Sequence, residues 1–272
     1  MKMFYLALWL LCINTAFSKT TGFLFFGDAG NKSEAQYRVA RSMKQFCNNN
    51  LCNFVTLLGD NFYPNGVSGT NDPLWKDAFE TPYSPLAIPF FASLGNHDYK
   101  GNIDSQIEYS RQSKLWKMPS RYYSFSEGEI DFFVIDTNQF NKEQRTWLKE
   151  ALNNSRNRWK IVLGHHPIYS YGGHGDTEEL KEELLPMIEG KAQFYLAGHD
   201  HNKQVIEKKA SDLTFIVSGA AGQTSPMKDS RGAIYSSDQL GFAHFQIDEY
   251  RAVLKILGAD GKIEYSKTFE PK

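Results

Sequence analysis

The chain has little that would tie it to a crosslinked or membrane-spanning architecture. Three cysteines in 272 residues are too few for a disulfide framework and lack the ligand set of a structural zinc site. The longest apolar run, Met3 to Ile13, is too short to span a bilayer, and no second run of sufficient length follows. An excess of either charge is also missing. Thirty basic and 31 acidic residues leave a net charge of -1, with no block of like charge, so neither nucleic acid nor an anionic membrane is expected as a partner. An anionic substrate must be held locally. Repeats, low-complexity stretches and linkers are absent from the sequence, which reads as one domain of ordinary globular composition.

What is there begins with a targeting segment. Lys2, the apolar run and the small residues around Ala16-Phe17-Ser18 have the order of a signal peptide over residues 1–18, cleaved after Ser18. The mature domain then covers 19–272, and the expected location is secreted or luminal: extracellular, periplasmic or lysosomal. Cys12 leaves with the leader, so Cys47 and Cys52 are expected to pair in an oxidising compartment, with two reduced thiols as the alternative. So short a loop adds about 2 kcal/mol. Asn31-Lys32-Ser33 and Asn153-Asn154-Ser155 are sequons for glycosylation in a host that glycosylates exported proteins.

Five apolar runs each end in a glycine followed by polar residues. Thr21 to Phe26 leads into Gly27-Asp28-Ala29-Gly30, and Phe54 to Leu58 into Gly59-Asp60-Asn61-Phe62-Tyr63. Ile88 to Leu94 leads into Gly95-Asn96-His97-Asp98, Trp159 to Leu163 into Gly164-His165-His166-Pro167, and Gln193 to Ala197 into Gly198-His199-Asp200-His201. Between the first two, Ala35, Val39, Met43 and Phe46 recur at helical spacing. Strand, helix, strand with an acid after each strand predicts a βαβ unit with Asp28 and Asp60 at one sheet edge. Further helices are expected over Asn141 to Asn153, with Asn141 as cap, and from near Asp176. Alternation from Phe245 to Ile256 predicts an antiparallel hairpin.

The five blocks hold enough donors for two cations, which hydrolytic centres of this kind keep about 3.5 to 4 Å apart and bridge with a two-oxygen ligand. Asp60 is the bridge candidate. His199 and His201 are two apart, so an extended backbone is expected to turn both imidazoles one way and Asp200 the other. Asn96 offers an amide oxygen and His165 an imidazole nitrogen. One donor is conspicuously lacking: no histidine follows Asp28, where two-metal phosphoesterases often carry Asp-x-His. Tyr63 is the substitute at hand, and a phenolate is a hard anionic donor suited to a trivalent ion.

With that tyrosine the chain resembles the purple acid phosphatases, particularly the small tartrate-resistant type. The resemblance rests on Gly59-Asp-Asn-Phe-Tyr63, Gly95-Asn-His-Asp98, Gly164-His-His-Pro167 and Gly198-His-Asp-His201, and runs from about Phe23 to the end. It implies an α/β (α+β) fold of two packed mixed β-sheets flanked by helices. It implies that Asp28, Asp60, Tyr63 and His201 hold Fe(III), and that Asp60, Asn96, His165 and His199 hold a divalent iron, zinc or manganese. It also implies that His97 and His174 contact substrate and protonate the leaving group. The expected activity is acid hydrolysis of phosphate monoesters by metal-bound hydroxide, by direct in-line attack. Two departures stand out: Ala29 replaces a frequent tryptophan, and His166 a frequent tyrosine.

Other residues read as ordinary structure or support. His166 is expected to point away from His165, and His244, between apolar neighbours, to pack in the core. Asp98 could orient the His97 ring. Gly219-Ala220-Ala221-Gly222 could bring backbone near the site. Two competing functions share these features: a phosphodiesterase or nucleotidase on the same metals, and a non-enzymatic scaffold retaining the fold. Completeness of the ligand set favours the enzyme.

Overall fold

The computed structural model describes residues 19–271, so the leader expected over 1–18 lies outside the described residues. β1 (Thr21–Phe26) and β2 (Phe54–Leu57) are parallel neighbours joined by the helix Glu34–Cys47. Both strands are buried along their whole length, as continuous apolar runs covered on two faces should be. The helix starts where Ser33 caps it, its side chain accepting from the Gln36 amide at 3.1 Å. It ends at the disulfide between Cys47 and Cys52, which clips the turn into β2.

β3 (Phe90–Ala92) and β4 (Trp116–Lys117) continue the sheet in parallel. β3 is shorter than the apolar run Ile88 to Leu94, because Pro89 has no N–H for the ladder. Antiparallel strands β12 (Gly241–Ile247), β13 (Ala252–Gly258) and β14 (Ile263–Phe269) complete this seven-stranded sheet on the other side of β1. The C-terminal hairpin is thus part of a three-strand meander.

The second sheet is also seven-stranded and mixed. Its centre is β6 (Ile130–Val134), β7 (Trp159–Leu163), β8 (Phe194–Ala197) and β10 (Thr214–Ser218), all parallel. β5 (Tyr123–Glu127), β9 (Lys203–Glu207) and β11 (Tyr235–Ser237) add antiparallel edges.

The two sheets pack through aromatic rings. Phe23 meets Phe132 edge-on at 5.1 Å, Phe54 meets Phe132 at 5.4 Å, and Phe194 meets Phe245 at 4.7 Å. Each fully buried phenylalanine contributes about 1.5–3 kcal/mol. Outside the second sheet, Leu148 and Leu152 of the helix Lys142–Asn154 pack with Val162 and Tyr195. Asn141 caps that helix as expected. The helix expected near Asp176 begins at Glu178. Helices outside and two mixed sheets inside match the architecture implied by the resemblance.

The carboxyl ends of the parallel strands in both sheets meet along one edge. Gly27 N–H donates to the Ser218 carbonyl at 2.8 Å, and Gly198 N–H to the His165 carbonyl at 3.0 Å. Ligand blocks far apart in sequence converge there. Asn31 also lies at this edge. Its amide donates to Gly222 O at 2.8 Å and its oxygen accepts from Ser33 N. Asn153, the other sequon asparagine, is exposed.

His244 on β12 is buried, its ring 4.9 Å from Phe46 and its Nε2 donating to Leu51 O at 2.9 Å. Nδ1 has no partner, so a second proton there would be unpaired. Burial pushes its pKa down to about 4. The unfolded chain takes up this proton near 6.5 and the folded chain only near 4. Stability is therefore complete above pH 6.5 and falls as pH drops toward 4, by on the order of 3 kcal/mol. His244→Gln, which keeps the donor, should lose this acid sensitivity. Its melting temperature should fall about 5 °C less than the native protein's between pH 7 and pH 4.5; parallel curves would exclude His244 as a cause.

Candidate metal centre

All seven donors named from the sequence come together at the shared edge, and they fall into two sets. In the first, the Tyr63 hydroxyl lies 3.1 Å from Asp28 Oδ1, 2.8 Å from Asp60 Oδ2 and 3.3 Å from His201 Nε2. His201 Nε2 is also 3.5 Å from Asp28 Oδ1. In the second, His165 Nε2 lies 3.0 Å from Asn96 Oδ1, 3.1 Å from His199 Nδ1 and 3.5 Å from Asp60 Oδ1. Asp60 thus gives one oxygen to each set, the division that a bridging carboxylate requires.

The glycine before each donor has a steric reason. A Cβ at Gly95 would lie 2.2 Å from Asp60 Oδ1, and one at Gly198 would lie 2.5 Å from Asp28 Oδ2. Asp28, Asp60 and His199 adopt left-handed backbone, with φ of 59°, 52° and 69°. Each such non-glycine conformation costs on the order of 1 kcal/mol or more and persists where the surroundings hold it. For His199 this corrects the extended geometry expected for Gly198-His-Asp-His201. The segment bends, with Asp200 N–H donating to Gly198 O at 2.8 Å and Asn202 N–H to Asp200 O at 2.7 Å. The bend, not strand alternation, sends His199 to one donor set and His201 to the other. Asp200 does face away, accepting from Ser170 Oγ and from His174 N–H.

The electrostatics show what the cluster lacks. Asp28 and Asp60 are buried, and among the described residues His201 Nε2 lies 3.5 Å from Asp28 and His165 Nε2 3.5 Å from Asp60. Burial raises the Asp28 carboxyl, opposed by the His201 hydrogen bond and reinforced by the Asp60 charge. Burial and then the charges of Asp28 and Asp60 drive the Tyr63 hydroxyl far upward. Burial works against a charged His201, but its bond to Asp28 and the nearby carboxylates raise it. His165 and His199 are held neutral, by burial first and then by neighbouring histidines, with His199 pushed down to about 2. Clustered oxygen acids with no lysine or arginine bonded to them among the described residues, beside His165 and His199 kept unprotonated, are a donor set that fits cations. The first set, with two carboxylates and a phenol, suits a harder and more highly charged ion than the second, with one shared carboxylate, an amide and two imidazoles.

Three further histidines border the donors. The His97 ring is 4.4 Å from Tyr63, and the His97 backbone N–H donates to Asp60 Oδ1 at 2.8 Å. Asp98 does not orient that ring. It is buried beneath the loop, accepting from Asn61 N, Phe62 N, Gly95 N and Gln106 Nε2. The ring is instead held at Nδ1 by the Pro64 carbonyl at 2.6 Å. The His174 ring lies 4.1 Å from His199. His166 does not turn away: its ring is 4.5 Å from His199 and 4.9 Å from His165. His165, His166 and His199 each offer an atom within 4.8 Å of the others.

Sequence reasoning missed Thr137, 2.8 Å from His166 Nδ1, and Gln223, 3.3 Å from His201 Nε2. Neither position carries a local pattern. Gly219 does approach the site as expected, close to Asp28 Oδ2 and the Asp200 carbonyl.

Known proteins are similar to this chain in sequence and in fold. The calcineurin-like phosphoesterase family profile matches residues 22–203. The chain is 31% identical to rat tartrate-resistant acid phosphatase type 5, over 93% of this chain and 91% of the relative. It is 32% identical to purple acid phosphatase 7 of Arabidopsis thaliana, over 89% and 83%. Among solved structures it is similar to GAP50, described as the anchor in the inner membrane complex of Plasmodium, at 28% identity and TM-score 0.84, covering 93% of this chain and 89% of that one. Purple acid phosphatase from yellow lupin seeds shares the fold at 18% identity and TM-score 0.74, over 93% of this chain and 54% of that one. With the profile spanning most of the domain and both curated relatives aligned over nearly their whole length, the chain belongs to the purple acid phosphatase family of calcineurin-like metallophosphoesterases.

Proposed function

We propose that this protein is an exported acid phosphatase that hydrolyses phosphate monoesters at an asymmetric centre of Fe(III) and a divalent iron, zinc or manganese. The observation that carries this reading is the division of the Asp60 carboxylate, Oδ2 toward Asp28, Tyr63 and His201 and Oδ1 toward His165, beside Asn96 and His199. The first four residues hold the ferric ion, and Asp60, Asn96, His165 and His199 hold the divalent one. A bound pair supplies positive charge for phosphoryl oxygens and acidifies water, which makes hydrolysis at low pH reasonable. Export rests on the leader-like sequence of residues 1–18 and is consistent with the Cys47–Cys52 disulfide. No helix among the described residues is long and apolar enough to cross a membrane.

The residues around the donors divide the remaining work. A carbonyl can only accept, so the 2.6 Å Pro64 contact, shorter than the 3.3 Å approach of Lys100 Nζ to the same atom, supports the proton of neutral His97 on Nδ1 and Nε2 free for proton exchange. His174 is presented by a loop whose backbone is tied to Asp200, with its ring against His199. Either ring can protonate the departing alkoxide. His97→Asn and His174→Asn should keep both metals, and the one that removes the acid should lower kcat by about 10²–10⁴-fold. That loss should be greater for an alkyl phosphate, whose leaving group needs the proton, than for p-nitrophenyl phosphate. Equal losses on both esters in both variants would exclude the acid role.

The likeness to the Plasmodium anchor supports a second reading, a scaffold that keeps the fold without turnover. Assay of metal-loaded protein against p-nitrophenyl phosphate from pH 4 to 8 separates the two. The enzyme reading requires turnover that rises toward acid and is lost on chelation, and a metal-loaded but inert protein favours the scaffold.

A further inference from the structure

His166 is not among the seven donors, yet it is held as firmly as they are. Thr137, buried in the turn after β6, places its Oγ1 3.0 Å from the His166 backbone nitrogen and 2.8 Å from His166 Nδ1. The backbone N–H can only donate, so it takes one hydroxyl lone pair. If Nδ1 also donated, the hydroxyl proton would be left buried without an acceptor. If the hydroxyl donates to Nδ1, the hydroxyl, the backbone N–H and Nδ1 are all satisfied. That arrangement puts the ring proton on Nε2. The same ring lies 4.5 Å from His199 and stands beside the donor set of Asn96, His165 and His199. None of the contacts that join those donors to one another includes His166.

We infer that His166 is a substrate-binding residue of this chain, donating its Nε2–H to a non-bridging phosphoryl oxygen on the divalent-metal side, and that Thr137 is the positioning residue that fixes this tautomer. The inference rests on the phosphoesterase reading for its ligand. It gives the centre an arrangement in which His97 borders the Tyr63 side while His166 and His174 both flank His199. The fixed donor favours the dianion of a phosphate over a neutral group of the same shape.

The test is inorganic phosphate binding to metal-loaded protein, measured by calorimetry without turnover, with metal content and melting temperature taken on the same samples. His166→Phe should weaken phosphate binding about tenfold, the effect of losing one hydrogen bond to an anion. His166→Gln, whose amide restores a donor near Nε2, should return it to within about threefold. Thr137→Val should weaken binding about threefold and Thr137→Ser should restore it. Nitrogen-15 NMR of metal-free protein should show His166 protonated at Nε2. Unchanged phosphate affinity in His166→Phe overturns the inference, and so does loss of the second metal in both His166 variants, which would make it a ligand. An Nδ1–H ring, or Thr137→Ser binding no better than Thr137→Val, overturns the role of Thr137. A protein that binds phosphate through His166 but hydrolyses no ester keeps this inference and sinks the enzymatic one.

Discussion

Asp60→Asn is expected to empty both halves of the centre at once, taking metal content from about two per chain to well below one and kcat down at least about 10⁴-fold. The side chain keeps its shape, so the loss comes from charge and donor type. An amide has one oxygen, whereas the carboxylate presents Oδ2 to Tyr63 and Oδ1 to His165 and to the His97 amide. The same substitution should not harm the metal-free fold. Burial raises the carboxyls of both Asp28 and Asp98 and the Asp60 charge raises them further, so removing that charge relieves repulsion among buried acids. Metal-free Asp60→Asn should therefore melt no lower than the metal-free native protein at pH 7. Elemental analysis and thermal melts on the two chelated proteins check both halves. A variant with two metals would show that Asp60 is not the bridge.

Tyr63→Phe is expected to act on one side only. Its ring position against His97, 4.4 Å away, can be kept by phenylalanine, and the hydroxyl makes no bond to Asn96, His165 or His199. The lost group is the third oxyanion donor beside Asp28 and Asp60. Without a cation that hydroxyl stays protonated, because burial and the two carboxylates oppose its ionisation. A phenolate there consequently reports a bound and strongly charged ion. Iron should fall from about one per chain toward zero while the divalent metal stays, any visible absorption should vanish, and kcat should drop about 10²–10³-fold. Retained colour in Tyr63→Phe would place the iron elsewhere.

The donor set was legible because each block follows a strand that ends at, or within two residues of, the end of its apolar run. Trp159 to Leu163 reads off as β7 without change, and β1 likewise. In parallel strands that position is also the ligand-bearing edge, so order along the chain carried spatial information. The split into two facing sheets was not readable from apolar runs, which say that a strand is covered on both faces but not by what; it came from the resemblance. Failures of the residue-level reading share one cause. Strand alternation was applied past the strand end, to His199 and His166, where the backbone bends or is held by a side chain. His199 needs φ of 69°, a conformation no local pattern announces in a histidine. Thr137 comes 29 residues before His166, and Asp98 reaches back to the amides of Asn61 and Phe62. Such side-chain to backbone bonds form only after the sheets have brought the loops together.

The donor geometry supports an asymmetric pair of cations with the harder one on Tyr63. Elemental analysis of the purified protein, read together with its visible spectrum and its aryl phosphate hydrolysis at acid pH, tests it most directly. An asymmetric pair should give about one iron and about one further divalent metal per chain in a coloured, active protein. A colourless, iron-free protein that still hydrolyses the ester would contradict it.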